Sequence, residues 1–268
     1  MIKPEKFHLK VKQKVADNFD QSYQIYQDFE EKHHFFYELT VQLAKKIGLQ
    51  SGSRVLDVGC GNGISALALH EQFSCQVMGL DLSDRMVADG QVLHVANQEV
   101  CLVLGDGERL TEIVGDQLYD YVLYNASIFI FPDVERSLRE AAACLSPGGK
   151  IAFSFYPRLT NPAGDDLFAV AFQRLGEPLP RFRVITDYQK TSSALEQYCH
   201  HVCHHQWIRP FDLEFLRDFF SIPAQSASLF PGRNYKARRD LIGQLFASLE
   251  DVASQASIVW RMAEGTKA

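Results

Sequence analysis

The run Val55-Leu56-Asp57-Val58-Gly59-Cys60-Gly61-Asn62-Gly63 constrains this chain more than any other stretch. Val55 to Val58 reads as a buried strand, and the glycines at alternate positions 59, 61 and 63 let a turn pass close beneath a ligand before a helix begins. A dinucleotide fingerprint, G-x-G-x-x-G, would need a small residue where this chain has Ile64, and it has no use for the acid at Asp57. The spacing here is G-x-G-x-G instead.

Strand and acid then recur in register. A second apolar stretch, Val77 to Leu80, ends in Asp81, and Ser83 can cap the helix that follows. A third, Val100 to Leu104, ends in Gly105-Asp106-Gly107-Glu108. Tyr119 to Ala126 reads as a fourth strand, and Leu145 to Phe153 as a helix end, a turn and a fifth. Taken singly, each acid could be a helix cap or a solvated surface group, and the glycines could serve only a tight turn. Acids at three successive strand ends define one edge of a sheet, and open parallel sheets bind ligands at that edge.

In this order and spacing, residues 53 to 156 resemble the class I S-adenosylmethionine-dependent methyltransferases. The resemblance implies an α/β fold with a doubly wound, mostly parallel seven-stranded sheet, the Rossmann-like methyltransferase fold, carrying an antiparallel C-terminal hairpin and helical lid insertions. It implies S-adenosylmethionine as cofactor. By that resemblance Asp57, Gly59 and Gly61 border the methionine part, Asp81 accepts from both ribose hydroxyls, and Leu82 and Met86 lie beside the ribose and adenine. Asp106 accepts from the adenine amino group, the backbone of Gly107 meets the ring edge, and the Asn125 carbonyl faces the methionine ammonium.

A length of 268 residues suits one large α/β domain with a lid and is short for two enzymatic domains. We divide it into an N-terminal helical segment and partial lid (1–50), a cofactor-binding core (51–156), and lid insertions plus the strands that complete the sheet (157–268). The net charge of −6 disfavours a nucleic-acid partner. No run approaches the roughly 20 apolar residues of a membrane span, and Met1 to Lys6 lacks the apolar segment of a signal peptide, so a cytoplasmic protein without a membrane partner is expected. Six scattered cysteines suit reduced thiols. Cys199-His200-His201-Val202-Cys203-His204-His205 invites a zinc reading. A helix from about Ser192 to Val202 followed by a strand toward Ile208 would instead scatter these side chains, and no metal site is expected.

Apolar residues at helical spacing predict two helices in the first 50 residues, with Gly48 marking an end. The first, with Phe19, Tyr23, Tyr26 and Phe29, reads either as a lid over the cofactor or as core anchors. Beyond the fifth strand, Pro162, Pro178 and Pro180 break up the connection. Helices are expected over Asp165–Leu175, Phe211–Phe220 and Lys236–Leu249, and a last strand over Ser257–Met262.

Methyl transfer needs alignment and exclusion of water more than dedicated catalytic groups. Many relatives place a histidine shortly after the fourth strand; here Ile128-Phe129-Ile130-Phe131 stands there, which favours an acceptor that is already nucleophilic or a base supplied by a lid. Tyr23, His33, His34, Tyr156 and the histidines between 200 and 205 are candidates, none preferred. Arg233, Arg238 and Arg239 could hold a carboxylate or phosphate, or simply face solvent. Val15-Ala16-Asp17-Asn18-Phe19-Asp20 is similar to the leading segment of quinone- and biotin-pathway methyltransferases. A polar-Pro-Pro-aromatic motif and a Pro-Cys pair, which mark nucleic-acid enzymes, are both missing. The expected function is methyl transfer to a small, partly apolar molecule, which could also be anionic. The alternatives are a regulatory protein that binds the cofactor without turnover, or transfer of another group from it. Oligomeric state is not legible in the sequence.

Overall fold

Short apolar strands buried on both faces alternate with helices from residue 54 onward, the pattern of a parallel sheet covered on both sides. The computed structural model describes residues 4–180 and 184–267. Residues 1–3, part of the start read above as lacking a leader, lie outside the described residues, as do 181–183 and 268.

Three helices, α1 (Pro4–Asp20), α2 (Tyr23–His33) and α3 (Phe35–Lys46), precede the sheet. The core then runs β1 (Arg54–Val58), α4 (Ile64–Phe73), β2 (Gln76–Asp81), α5 (Asp84–Leu93), β3 (Val100–Leu104), α6 (Leu110–Val114), β4 (Tyr119–Tyr124), α7 (Val134–Ala143) and β5 (Leu145–Ser154). The remainder is β6 (Arg158–Thr160), α8 (Leu167–Leu175), α9 (Tyr188–Leu195), β7 (His200–Pro210), α10 (Leu213–Ser221), α11 (Pro223–Leu229), α12 (Tyr235–Ala247) and β8 (Ser257–Thr266). Among the described residues no helix is long and apolar enough to cross a membrane.

The strands lie in the order β3-β2-β1-β4-β5-β8, with β1 to β5 parallel and β8 antiparallel to its neighbours. Eight segments occupy seven rows, because β6 continues the track of β5. Ser154 pairs with Met262 and Arg158 with Val259 on β8, and Phe155 N–H still donates to Arg261 O at 2.8 Å. Pro157, with no N–H to give, falls at the interruption. β7 takes the other edge of β8. The antiparallel C-terminal pair is therefore present, with α10, α11 and α12 between its strands in place of a tight hairpin.

Three boundaries differ from the sequence reading. The N-terminal region has three helices rather than two, because Phe7, Val11 and Val15 extend an apolar stripe back to Pro4 and the first expected helix divides at Gln21-Ser22 into α1 and α2, whereas α2 and α3 are separate as expected. Their junction is His34, at φ 50°, where the buried Glu30 carboxylate accepts from Phe36 N–H at 2.8 Å and Tyr37 N–H at 2.9 Å. That carboxylate fills the capping role at α3 that His34 cannot. The helix expected over Ser192–Val202 is α9, which Asp187 caps from below; the strand begins at His200, since pairing with β8 captures the His/Cys segment. α11 was not foreseen and starts on Pro223, a residue suited to the first helical position.

The N-terminal helices join the C-terminal insertion through an aromatic cluster. Phe35 lies 5.0 Å from Trp260 and 4.9 Å from Phe215, and Phe29 lies 5.7 Å from Phe219, centroid to centroid. All six rings of this group, counting Phe36, are buried. Such pairs add about 0.5–1.5 kcal/mol each beyond area burial.

Candidate active site

The C-terminal ends of the first four strands open onto one cavity of about 80 Å³. Gly59 and Gly61 follow β1, Asp81 and Leu82 end β2, Asp106 and Gly107 follow β3, and Asn125 follows β4; all seven line it. The other two residues of the expected set stand behind the wall. Asp57 is 1 % exposed, its Oδ2 accepting from Ser65 Oγ while Oδ1 has no partner. Burial pushes its carboxyl up to about 7. Met86 is fully buried in the first turn of α5, where its N–H donates to Ser83 Oγ at 3.1 Å.

Asp81 is held from two sides. Gly61 N–H donates to Oδ2 at 2.8 Å and Ser83 N–H to Oδ1 at 2.9 Å. Each carboxylate oxygen keeps further lone-pair capacity. Burial raises the Asp81 pKa, while the N–H groups of Ser83, Gly61 and Leu82 act in the opposite direction.

The glycines divide in purpose. Gly59 has φ 78°, and a Cβ there would sit 2.5 Å from Ser127 Cβ. Its bareness makes room for Ser127, whose Oγ donates to Val58 O at 2.6 Å, rather than for a ligand. Gly61, at φ 57°, lies opposite Tyr26, whose hydroxyl would stand 3.8 Å from a Cβ there, an ordinary van der Waals contact. The Asn125 side chain is committed internally: Nδ2 donates to Thr40 Oγ1 at 2.6 Å and Oδ1 accepts from Ser154 Oγ at 2.8 Å. What it can offer a ligand is its backbone.

Several wall residues escaped the sequence reading. Lys12 on α1 places Nζ 2.7 Å from Asp106 Oδ2 and 2.5 Å from Glu108 Oε2. Glu108 is buried and also accepts from Asp133 N–H at 2.8 Å. At the C-terminal end of α1, Asp20 Oδ1 accepts from Ser83 Oγ at 2.5 Å. The helix is thus pinned across the cavity at its middle and at its C-terminal end, and Val15 and Phe19 between the pins form its roof. Tyr26 does both jobs weighed for it, stacking on Phe36 at 4.6 Å and lining the cavity. The acid at Glu108 was visible in Gly-Asp-Gly-Glu; its partner, 94 residues away from Asp106, was not.

None of the candidate bases lines this cavity. His33 Nε2 pairs with Asp218 at 2.8 Å, Tyr23 lies beneath the Arg85 guanidinium, and Tyr156 packs among Phe129, Phe168 and Phe220. Strand alternation sends His204 toward the Tyr188 hydroxyl at 2.8 Å and His205 toward Glu264 at 3.2 Å, on opposite faces. Among the described residues no group of three His, Cys, Asp or Glu side chains could hold a metal ion. Arg233 pairs with Glu177 at 3.3 Å and the buried Arg238 donates to Pro223 O at 3.2 Å; neither they nor Arg239 reach the cavity. Tyr26 is the one tyrosine among the described wall residues, and burial with the nearby Glu30, Asp81 and Asp57 carboxylates raises its pKa well above the ordinary value. It stays a neutral hydroxyl.

Residues 56–153 match a family of methyltransferase domains. The demethylmenaquinone methyltransferase of Shouchella clausii (strain KSM-K16) is 32% identical over 133 residues, 49% of this chain and 57% of that protein. The 27-O-demethylrifamycin SV methyltransferase of Amycolatopsis mediterranei (strain S699) is 28% identical over 152 residues, 56% of each. The chain thus spans a little over half the length of these relatives. Among solved structures, the Haemonchus contortus phosphoethanolamine N-methyltransferase 2, in complex with phosphomonomethylethanolamine and S-adenosylhomocysteine, aligns with a TM-score of 0.55 at 18% identity. That alignment covers 85% of this chain and 52% of that one, and it speaks for the fold.

Proposed function

We infer that this chain, whose residues 56–153 match a methyltransferase-domain family, is an S-adenosylmethionine-dependent methyltransferase acting on a small molecule. The observation that carries the reading is Asp81: a carboxylate at the tip of β2, fixed by two backbone N–H groups, with lone pairs left for a cavity floored by Gly61. A ribose diol has two hydroxyl donors to match them. Asp106 and the Gly107 backbone stand at the β3 end, where an adenine edge needs an acceptor and a donor, and Asn125 offers its backbone at the β4 end. Asp57, Gly59, Leu82 and Met86 support these residues from behind or beside. When bound, the cofactor supplies an electrophilic methyl group on a sulfonium.

The residues present suit alignment and exclusion of water better than proton abstraction. Phe19, Phe36, Ile130 and Phe131 give the cavity apolar walls, and no histidine lies among its described lining residues. Acceleration then comes mainly from holding two reactants in line, which can supply about 7–11 kcal/mol. The acceptor is small and partly apolar.

Calorimetric titration of S-adenosylhomocysteine into wild type and Asp81→Ala tests the reading. We expect micromolar binding by wild type, weakened in the variant by about 1.5–3 kcal/mol, or roughly ten- to a hundredfold. Absence of binding by wild type would overturn the assignment.

A further inference from the structure

A second cavity, of about 440 Å³, lies directly against the first. It runs between two helices. Phe7, Val11 and Val15 recur at four-residue steps on α1, and Ala224 and Ala227 face them from α11. Its floor is Ile130 with the segment Val184–Ile185, which is tied down by Ile185 N–H donating to Phe129 O at 2.9 Å. Val15, Phe19 and Ile130 belong to both cavities, so these three side chains are the partition between them.

We propose that this second cavity holds the methyl acceptor, an apolar ring or chain compound that brings its own unprotonated nucleophile. The proposal rests on the methyl-transfer reading above. Its volume falls in the roughly 300–1,000 Å³ range of small-molecule sites. Its described walls include no acid, histidine, tyrosine or cysteine. No described side chain there can therefore take a proton from the acceptor, and a compound that must lose one has to arrive ionised or surrender it to water at the mouth. Among the described wall residues the charged one is Lys14, exposed on α1, and its ammonium favours an anionic over a cationic acceptor. In the transfer, a lone pair of the acceptor forms the new bond to the methyl carbon at the partition. The carbon–sulfur bond breaks with its electron pair going to sulfur, so an anionic acceptor and a sulfonium become two neutral products.

The test uses the fluorescent apolar anion 1-anilinonaphthalene-8-sulfonate as probe, alongside calorimetry with S-adenosylhomocysteine. Ala227→Trp fills the α11 wall, and Ile185→Asp, at a position 41% exposed, places a like charge at the mouth. We expect each variant to raise the probe's Kd at least tenfold while S-adenosylhomocysteine binds within twofold of wild type. Retained cofactor-product binding also shows that the variants fold. Probe binding unchanged in both variants, or absent from wild type, would overturn the acceptor cavity and leave the methyltransferase reading standing. Failure of wild type to bind S-adenosylhomocysteine would overturn that reading and, with it, the acceptor role, whatever the probe does.

Discussion

Asp57 shows how a single side chain sets a pH dependence. Its carboxyl titrates at about 7 in the folded protein because it is desolvated with one oxygen unpartnered, whereas an unfolded aspartate titrates at about 4. Between those values the folded state keeps a proton that the unfolded chain has released. Stability from this group is therefore full at low pH, declines as pH rises from about 4 to 7, and is level above. Asp57→Asn removes the decline. In urea unfolding at pH 5 and pH 8, we expect the variant to gain about 2–3 kcal/mol on wild type between the two conditions; parallel pH dependences would show that Asp57 is ionised throughout. Asp81 bears on affinity in the opposite direction. Its raised carboxyl must be ionised to accept from two hydroxyls, so cofactor binding should weaken on acidification, and Asp81→Asn should lose that pH dependence along with affinity.

At the level of elements, α1 is the piece whose position decides access. Its cavity of about 80 Å³ is smaller than small-molecule sites commonly are, roughly 300 Å³ and above, so entry of a nucleoside-sized ligand requires the roof to lift. The polar contacts that resist lifting are Lys12 with Asp106 and Glu108 at mid-helix and Asp20 with Ser83 at its C-terminal end. Lys12→Met leaves the buried Glu108 carboxylate without its cation, a loss that costs far more than a surface pair would. We expect chymotryptic cleavage within α1, after Phe7 or Phe19, to accelerate at least tenfold in this variant; an unchanged rate would mean that Asp20 with Ser83 and the packing of Val15 and Phe19 hold the roof without Lys12. The sequence disclosed the acids of this latch and concealed the latch itself. Gly105-Asp106-Gly107-Glu108 announces a strand end because its chemistry is local, but the partner for those acids comes from a lysine in a run that reads as an ordinary solvated helix face. Strand positions were legible for the same local reason, as β3 at Val100–Leu104 illustrates. The misplaced helix near Ser192 fails because histidines and cysteines carry little intrinsic preference, and tertiary pairing with β8 decides their conformation.

For the molecule as a whole, ligand binding and global stability are linked by mass action. S-adenosylhomocysteine at a hundred times its Kd should stabilise the folded state by about 2.7 kcal/mol, raising Tm by about 5 °C for a chain of this size. Differential scanning fluorimetry reads this directly, and Asp81→Ala should show less than half the shift. The same linkage bears on the order in which the parts of the chain can become structured. β8 is inserted between the track of β5 and β6 on one edge and β7 on the other. During synthesis β7 therefore leaves the ribosome before its only partner among the described strands exists, and α10 emerges before Trp260, against which its Phe219 packs. Until residues 257–266 follow, the parallel half of the sheet can assemble and α10 can pack on Phe29 and Phe35, while β7 and the Trp260 side of α10 lack their last partners; we expect that exposed surface to be where a chaperone engages the nascent chain.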